Sequence, residues 1–526
     1  MDTPPALPRT LPRLSPYSIG LRFGIVALAA VLRLWRLDLR PPHFDEGVFG
    51  LIAEEIPRLG YYPYNPRFYH GPLLHYILFV SKFLLGHNLW ALRLPEALAG
   101  ILTVDWIFRF ERFFGARACA WTALAMAVSP AYVFFSRYAI HETWLVLFMV
   151  LAGWGILGLR CEGARRYLWA AGMGLSGMML IKETFLLHVI CLLAAVPVAS
   201  FMETVRAPAV DAPPPSPSTI GPSSQLWRPK DLAAVTAVAL AAIVFFYSGN
   251  GLHPEGLSAM ASSFASWAHT ASADHNQPFY YWLQLFLRNE PWAACGLVVG
   301  LRYVFQPTPF GLPLRLLATY AFLTLVAYSA IPYKTPWCLP AFAWPFFFLA
   351  SAAIAEVAGH RRTATASLAF LAAAALTIYS VALALDLNFN RYTDPAEDYV
   401  YFHTSEQVSL ITGPLYDLAR EDPRNYQRRG LVICDHIHPV PWLLADFSRI
   451  EYYPKRTSLP DYEADFLIVS EERDPEVEAK VDGDFFKQTF RLRPGMAPIT
   501  LYLRYSVFSH LMPGRAPELR SRTMAR

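Results

Sequence analysis

The sequence predicts a polytopic, all-α membrane protein followed by a small soluble α/β domain. Hydrophobic residues make up 54% of the 526 residues and charged residues only 16%, whereas about a quarter of a typical soluble domain is charged. Many apolar segments approach the roughly 20 residues that span a bilayer. The acidic residues are unevenly placed, because 21 of the 41 follow residue 386. We therefore expect a membrane domain over residues 1–386 and an α/β domain over residues 387–526.

Twelve apolar segments precede residue 386, and the basic residues indicate that eleven of them span the membrane. If residues 71–86 do not cross and the N-terminus is inside, every internal loop carries basic residues, as the positive-inside rule requires. Segment 71–86 contains His75 and Lys82 and opens with Gly-Pro, so we expect an interfacial helix there. The first segment is expected to be a retained anchor. The segments lie at residues 19–38, 71–86, 92–110, 118–136, 142–159, 167–181, 184–202, 232–249, 291–306, 314–331, 337–356 and 363–385.

This topology assigns the loops to the two faces of the cell membrane. The Pro-rich loop over residues 205–230 is expected in the cytoplasm, as a linker without catalytic residues. The domain after residue 386 is expected outside, with strands near residues 430–434, 449–453, 465–470, 485–491 and 499–504 and helices near 400–419 and 440–447. The unusual polar residues fall on or near the outer face: Asp45, Glu46, His70, Arg137, His141, Lys182, Glu183, His253, Glu255, Tyr333 and Lys334.

Asp45 and Glu46 are adjacent carboxylates that follow the first apolar segment by a few residues. Acids are favoured at the start of a helix, so Asp45 could cap a helix over residues 46–58. A carboxylate at the membrane surface is also partly desolvated, which suits a general base. The two roles are compatible, and both stay open here.

Other polar residues interrupt the predicted outer turns. His70 opens the interfacial helix, where it could bind an anion or be purely structural. Arg137 and His141 lie between two spans, and Arg137 could anchor a helix end. Lys182 and Glu183 lie between the next two spans and could pair with each other. Alternatively, Arg137 and Lys182 hold a phosphate or the carboxylates.

The string Tyr333-Lys334-Thr335-Pro336-Trp337 lies at another predicted outer turn. Tyr333 and Trp337 are typical of the aromatic belt at a membrane interface. Lys334 between them suits an anionic lipid head group or a sugar ring.

No motif indicates a metal or a nucleotide cofactor. The six cysteines lack the spacing of a disulfide framework or a zinc site. His436 and His438 have no third ligand at a suitable spacing. There is no P-loop, dinucleotide-binding turn or Ser/His/Asp elbow. We predict no metal ligands, although a requirement for a divalent cation stays open, and a formal charge of +4 gives no sign of nucleic-acid binding.

Six short motifs resemble those of the C-type polytopic glycosyltransferases, which include the protein O-mannosyltransferases and the aminoarabinose lipid A transferases. Within these, the chain is most similar to the "flippase activity-associated protein" family. The resemblance covers residues 20–340 well and the soluble tail loosely. The motifs are Phe44-Asp45-Glu46, His70-Gly71-Pro72, Arg93-Leu94-Pro95, Ser136-Arg137-Tyr138, Lys182-Glu183 and Tyr333-Lys334-Thr335-Pro336-Trp337.

The resemblance implies sugar transfer from a polyprenyl-phosphate donor on the outer face of the membrane, with Asp45 as the base and Glu46 beside it. The basic residues near the donor phosphate would be Arg137, Lys182 and Lys334. Protein O-mannosyltransferases have His-Pro-Pro where this chain has His70-Gly71-Pro72, so the acceptor class does not carry over.

Two functions follow as hypotheses. The first is an inverting hexosyltransferase that uses a lipid-phosphate sugar and a glycan, lipid or protein acceptor. Asp45 and Glu46 would be catalytic, and the substrate would be bound by His70, Arg137, His141, Lys182, Glu183, Tyr333, Lys334 and Trp337. The second is a non-catalytic protein that binds lipid-linked sugars or is associated with a flippase, in which Asp45 has no essential role. The outer acid pair favours the enzyme.

Overall fold

The structure, a computed structural model, describes residues 16–68, 70–206, 226–270, 275–306, 308, 310–359, 363–454 and 457–520. Residues 207–225 of the predicted Pro-rich loop, and Tyr69 beside His70, lie outside these ranges. The chain divides into two compact units. We call Met1–Leu37 with Glu55–Arg391 the helical unit, and Asp38–Glu54 with Tyr392–Arg526 the sheet unit. The segment that carries Asp45 thus groups with the C-terminal residues.

Every predicted apolar segment corresponds to one or more helices. Two additional helices, α11 and α12, lie between the segments predicted at residues 232–249 and 291–306. The helices up to residue 385 are α1 Pro16–Leu34, α2 Phe44–Leu59, α3 Leu73–Leu85, α4 Leu89–Ile107, α5 Glu111–Val128, α6 Pro130–Phe135, α7 His141–Cys161, α8 Arg165–Ile181, α9 Phe185–Arg206, α10 Pro229–Tyr247, α11 Glu255–Thr270, α12 Tyr281–Asn289, α13 Pro291–Phe305, α14 Gly311–Ala330, α15 Leu339–Ala358 and α16 Thr363–Leu385.

Six helices in the described part of the chain are long and apolar enough to cross a membrane. They correspond to α7, α9, α10, α14, α15 and α16, and they indicate an integral membrane protein. Helix α3 has 13 residues and is therefore about 20 Å long, short of the roughly 30 Å hydrocarbon core. This length fits an interfacial helix, whereas the count of eleven spans stays a prediction.

Helices α7 and α8 form a close antiparallel hairpin. A Cβ atom added to Gly155 would lie 2.4 Å from the backbone nitrogen of Ala171, and one added to Gly174 would lie 2.5 Å from the backbone nitrogen of Ala152. Small residues permit such close approach of helix backbones. The hairpin brings the first residues of α7 beside the residues that follow α8, which positions the polar cluster described below.

The sheet unit contains a five-stranded mixed sheet of order β2-β1-β3-β5-β4. Its three parallel strands are β1 Gly430–Ile433, β2 Ile450–Tyr452 and β3 Phe466–Ser470. Strand β5 Ile499–Arg504 pairs antiparallel with β3 on one side and with β4 Phe485–Phe490 on the other. Alternate residues of β3 enter two cores, Phe466 and Ile468 on one face of the sheet and Leu467 and Val469 on the other. The helices are α17 Ser409–Glu421, α18 Val440–Leu443, α19 Asp474–Lys480 and α20 Tyr505–Phe508.

All five predicted strands are present, but two helix predictions were wrong in their bounds. The helix expected over residues 400–419 begins as a 3₁₀ turn at Glu406, and the helix expected over 440–447 ends at Leu443. Helix α2 begins at Phe44 instead of residue 46, so Asp45 lies inside the first turn and does not precede it.

Candidate functional site

The helical unit holds a buried cluster of ionisable side chains. The ammonium group of Lys182 pairs with the carboxylate of Glu142, and the Nδ1 atom of His70 lies 2.8 Å from Oε2 of Glu183. Lys182, Glu142 and Glu183 are all buried. The sequence left open a direct pair between Lys182 and Glu183, and the structure instead gives each residue a partner from another element.

The fold explains this arrangement locally. Lys182 follows the last residue of α8, and its backbone is extended. The helix therefore ends there, and the side chains of Lys182 and Glu183 contact different neighbours. Gly71 makes room for the His70 contact, because a Cβ atom there would lie 2.2 Å from the carbonyl oxygen of Leu180. The N–H of Gly71 donates to the carbonyl of Ile181 at 3.0 Å. The chain entering α3 is thus held against the end of α8.

Opposite charges offset the effect of burial on the pKa of Lys182 and on that of Glu183. Burial alone would lower the pKa of the Lys182 ammonium, but Glu142 raises that pKa well above its usual value. Burial alone would raise the pKa of the Glu183 carboxyl, but His70 and then Lys182 lower it below its usual value. One carboxylate oxygen of Glu142, Oε2, has no hydrogen-bond partner among the residues that the structure describes. A buried acceptor of this kind is costly unless a water or a ligand group donates a hydrogen bond to it.

Two more histidines adjoin this cluster. The ring of His141 lies 4.5 Å from that of His70 and 6.0 Å from that of His75, measured between centroids. His141 and His75 are buried. His75 and Glu142 were not predicted as site residues. The sequence pattern places His75 in the interfacial helix and Glu142 at the start of an apolar span.

Arg137 has a clear structural role. Its guanidinium donates hydrogen bonds to the carbonyls of Leu32, Arg33, Trp35 and Arg36, at 2.8–3.1 Å. These carbonyls end α1, where helices lack internal donors. Arg137 therefore caps α1, in agreement with the anchoring role left open above, and its predicted role at a phosphate stays a prediction.

Hydrogen bonds from Tyr333 and Lys334 to nearby backbone groups fix the string from Tyr333 to Trp337. Tyr333 forms a bridge with Asn276, and the N–H of Lys334 donates to the carbonyl of His275 at 3.1 Å. The ammonium of Lys334 donates to the carbonyl of Ile331 at 2.6 Å and to that of Gln277 at 3.0 Å.

Trp337 lies in the 3₁₀ turn Pro336–Cys338 that leads into α15. Cys338, the next residue, interacts electrostatically with Lys182. This interaction places the end of the string beside the cluster.

The sheet unit distinguishes the two adjacent acids. The carboxylate of Glu46 is fully buried and accepts a hydrogen bond of 2.8 Å from the N–H of His43. Glu46 therefore takes part with His43 in capping the start of α2, whereas the side chain of Asp45 is 32% exposed. The Oδ2 atom of Asp45 lies 3.5 Å from the Nδ1 atom of His43.

His43 fixes the backbone beneath Asp45. Its Nδ1 atom accepts a hydrogen bond of 3.1 Å from the N–H of Asp45, and its Nε2 atom lies 3.1 Å from the carbonyl of Tyr401. Because Nδ1 accepts, Nε2 carries the proton and the ring is neutral. Burial lowers the pKa of His43, which agrees with the neutral form.

Arg493 provides a positive charge near Asp45. Its guanidinium lies 4.8 Å from the centroid of the Phe44 ring and donates to the carbonyl of His436 at 2.6 Å. Burial lowers the pKa of Arg493, and Asp45 partly offsets this. Arg493 was not predicted, because no motif connects it to a residue 448 positions earlier.

The described residues contain no group of three or more His, Cys, Asp or Glu side chains arranged to hold a metal ion. Next to the His436–His438 pair, Arg493 donates a hydrogen bond to the backbone carbonyl of His436. The pair is accordingly part of the support for Phe44, whose ring lies 5.3 Å from that of His438.

Comparison with known proteins finds one family model that matches part of the chain. Residues 69–208 match the family model described as dolichyl-phosphate-mannose-protein mannosyltransferase. None of the curated proteins matches the sequence.

The fold is similar to that of several solved structures. ArnT from Cupriavidus metallidurans bound to undecaprenyl phosphate has a TM-score of 0.60 and 16% identity, with 92% of this chain and 98% of that chain covered. The apo state of the same protein gives 0.58 and 14%, covering 93% and 99%. The Archaeoglobus fulgidus oligosaccharyltransferase in complex with Zn and sulfate gives 0.51 and 13%, covering 89% and 72%. The predicted resemblance to the C-type polytopic membrane glycosyltransferases is confirmed at the level of the fold, which this chain shares with these structures.

Proposed function

We propose that the protein is a membrane glycosyltransferase that moves a sugar from a polyprenyl-phosphate donor to an acceptor hydroxyl on the extracytoplasmic face. The C-type fold and the match to a dolichyl-phosphate-mannose family support the reaction class. Binding of undecaprenyl phosphate by the ArnT relative supports the type of donor. The observation that carries the proposal is the difference between the two acids, since Asp45 is accessible whereas Glu46 is buried and committed to the helix end.

The chemistry requires a base and a stabilised leaving group. The acceptor oxygen attacks the anomeric carbon from the side opposite the phosphate, and the carbon–oxygen bond to the phosphate breaks. The hydroxyl proton passes to the Asp45 carboxylate, and polyprenyl phosphate leaves with the bonding electrons. The configuration at the anomeric carbon is inverted. General-base catalysis of this kind contributes about 10²–10⁴-fold to the rate.

We assign stabilisation of the leaving phosphate to the predicted binding residues. Cations that meet the departing phosphate lower the barrier by balancing the charge that develops. Each of the three predicted cations already has a partner in the structure, and Lys182 pairs with the carboxylate of Glu142. Arg137 and Lys334 already donate to backbone carbonyls. The other residues proposed to bind the substrate are His70, His141, Glu183, Tyr333 and Trp337.

A non-catalytic protein that binds or helps to flip lipid-linked sugars is the alternative. It would use the same cations, but it would need no accessible base. The accessible side chain of Asp45 favours the enzyme, because a general base must be within reach of the acceptor hydroxyl.

Substitution of the two acids tests the proposal. Asp45→Asn and Glu46→Gln keep the size of each side chain. Purified protein in liposomes would receive an undecaprenyl-phosphate-linked hexose together with envelope membranes as a source of acceptor. Released undecaprenyl phosphate would be measured, and donor binding would be measured separately.

We expect Asp45→Asn to lower release about 10²–10⁴-fold while donor binding persists. Glu46→Gln should chiefly lower stability, because the amide is a weaker acceptor than the carboxylate for the N–H of His43. Full activity of Asp45→Asn combined with loss in a folded Glu46→Gln would move the base to Glu46. Full activity of both variants would exclude both acids as the base, and a wild type that binds the donor without releasing undecaprenyl phosphate would favour the non-catalytic alternative.

A further inference from the structure

A basic cavity lies at the opposite end of the α7–α8 hairpin from the Lys182–Glu142 pair. It has a volume of about 690 Å³ and is lined by residues of α1, α4, α5, α7 and α8. Trp154, one of these residues, follows Glu142 by twelve positions along α7, or about 18 Å. Under the predicted topology this end faces the cytoplasm, so the cavity is separate from the candidate site described above.

The lining carries more positive than negative charge. Four arginines line the cavity, against the carboxylates of Asp105 and Glu111. Arg22 forms a two-bonded pair with Asp105, with distances of 2.8 and 2.7 Å. Arg112 and Arg166 share Glu162, at 2.9 and 3.0 Å. Counting Glu162 as well, four cations still face three anions.

Arg109 is the cation left over by this pairing. No carboxylate in the described part of the chain forms an ion pair with it. Its guanidinium lies 4.4 Å from the centroid of the Trp106 ring, and its carbonyl accepts a hydrogen bond of 2.9 Å from Nε1 of Trp154. The backbone is therefore fixed while the exposed guanidinium keeps its capacity to bind an anion.

The wall formed by α1 is apolar and open. Ile19 is 56% exposed and Phe23 is 75% exposed, and both line the cavity. A soluble anion gains nothing from such a wall, whereas the hydrocarbon chain of a lipid would cover it. Burial of apolar surface favours binding by roughly 25 cal/mol per Å².

We propose that this cavity binds the phosphate head group of an anionic membrane lipid, with Arg109 as the main contact and the hydrocarbon chain against Ile19 and Phe23. Basic pockets between membrane helices on the cytoplasmic side are suited to such head groups. A phospholipid and a polyprenyl phosphate share this chemistry, so the experiment must separate them.

Native mass spectrometry of the full chain in detergent tests the proposal. Phosphatidylglycerol, phosphatidylcholine, undecaprenyl phosphate and inorganic phosphate would be added separately. Arg109→Gln removes the proposed contact. Arg117→Gln is the matched control, because Arg117 is an exposed arginine of α5 at the same end of the bundle that does not line the cavity.

We expect phosphatidylglycerol to bind more tightly than phosphatidylcholine, and Arg109→Gln to weaken it about tenfold while Arg117→Gln has little effect. The same pattern with undecaprenyl phosphate alone would keep the site and assign the polyprenyl lipid as its ligand. Equal binding of phosphatidylcholine, equal effects of the two substitutions, or binding of inorganic phosphate as tight as that of either lipid would overturn the proposal.

Discussion

The Nδ1 atom of His70 lies 2.8 Å from the Oε2 atom of Glu183, so two residues 113 positions apart meet at the entrance to α3. Directly before Glu183, Lys182 pairs with Glu142 of α7. Three separate turns of the helical unit therefore contribute to one network of ionisable side chains. Each buried charge in it depends on its partner, which makes the network sensitive to single substitutions and tolerant of paired ones.

Loss of one partner of the Lys182–Glu142 pair should be strongly destabilising. Lys182→Met leaves the Glu142 carboxylate buried without its cation, which costs about 3–5 kcal/mol. The double variant Lys182→Met/Glu142→Leu removes both charges and should recover most of this loss. Thermal unfolding in detergent, followed by tryptophan fluorescence, measures the difference. A double variant that is as unstable as the sum of the single variants would show that the two charges do not stabilise each other.

Acid should destabilise the sheet unit through His43. Its pKa is lowered in the fold from the usual 6.5, so the unfolded chain binds the proton more readily. The resulting stability is complete above about pH 6.5 and decreases as the pH falls below it. His43→Asn keeps a side-chain acceptor for the N–H of Asp45 but cannot titrate. The wild type should lose more stability than this variant between pH 8 and pH 5.

A constant difference between wild type and His43→Asn over that pH range would contradict the assignment of a neutral buried imidazole. The comparison isolates His43 because other groups, including His438, whose pKa is also lowered by burial, are present in both proteins.

Two glycines of α2 should resist substitution. A Cβ atom at Gly47 would lie 2.6 Å from the Cα atom of Pro439, and one at Gly50 would lie 2.5 Å from the indole ring of Trp442. We expect Gly47→Ala to cost about 1–3 kcal/mol of unfolding free energy, because the backbone of Pro439 must shift. Gly50→Ala should cost less where the Trp442 side chain can move.

Gly413→Ala is the matched control for these variants. Gly413 lies within α17, and no atom lies within 4 Å of a Cβ added there. Alanine is the better helix former, so this substitution should stabilise by up to about 1 kcal/mol. Equal unfolding temperatures for Gly47→Ala and Gly413→Ala would refute the close packing of α2 on residues 439–442.

Cysteine labelling from outside the cell tests the topology. We predict that residues 205–230 are cytoplasmic and that residues after 386 are extracytoplasmic, because the basic residues then lie in internal loops. A membrane-impermeant maleimide should react with a cysteine introduced at position 450 and not with one introduced at position 220. The reverse pattern would invert the whole assignment of faces.

Hydrophobic pattern was sufficient to predict most elements of the fold. The apolar segments became helices because a backbone in lipid must bond internally, and the five strands of the sheet unit were recognisable from β-branched and aromatic runs. The start of α2 was misplaced by two residues, because His43 supplies the bond that the pattern assigned to Asp45. A histidine before a helix is not a recognised capping signal.

Contacts between residues far apart in the chain could not be predicted from the sequence. Motifs identified His70, Lys182 and Glu183, but no local signal indicates that Lys182 selects Glu142 and that Glu183 selects His70. That choice follows from the close α7–α8 hairpin, and therefore from tertiary packing. Arg493 escaped prediction for the same reason, since only the fold of the sheet unit brings it to Phe44.

The grouping of residues 38–54 with the C-terminal residues has a consequence for biosynthesis. The ribosome completes Asp45 more than three hundred residues before Tyr401, whose carbonyl holds the ring of His43, and before Pro439 and Trp442, against which Gly47 and Gly50 pack. The contacts of the first loop with these later residues therefore cannot form while the intervening helices are inserted. Its carboxylates reach their final positions only after translation of the tail, so a ribosome that stalls early releases a membrane protein whose proposed base was never assembled.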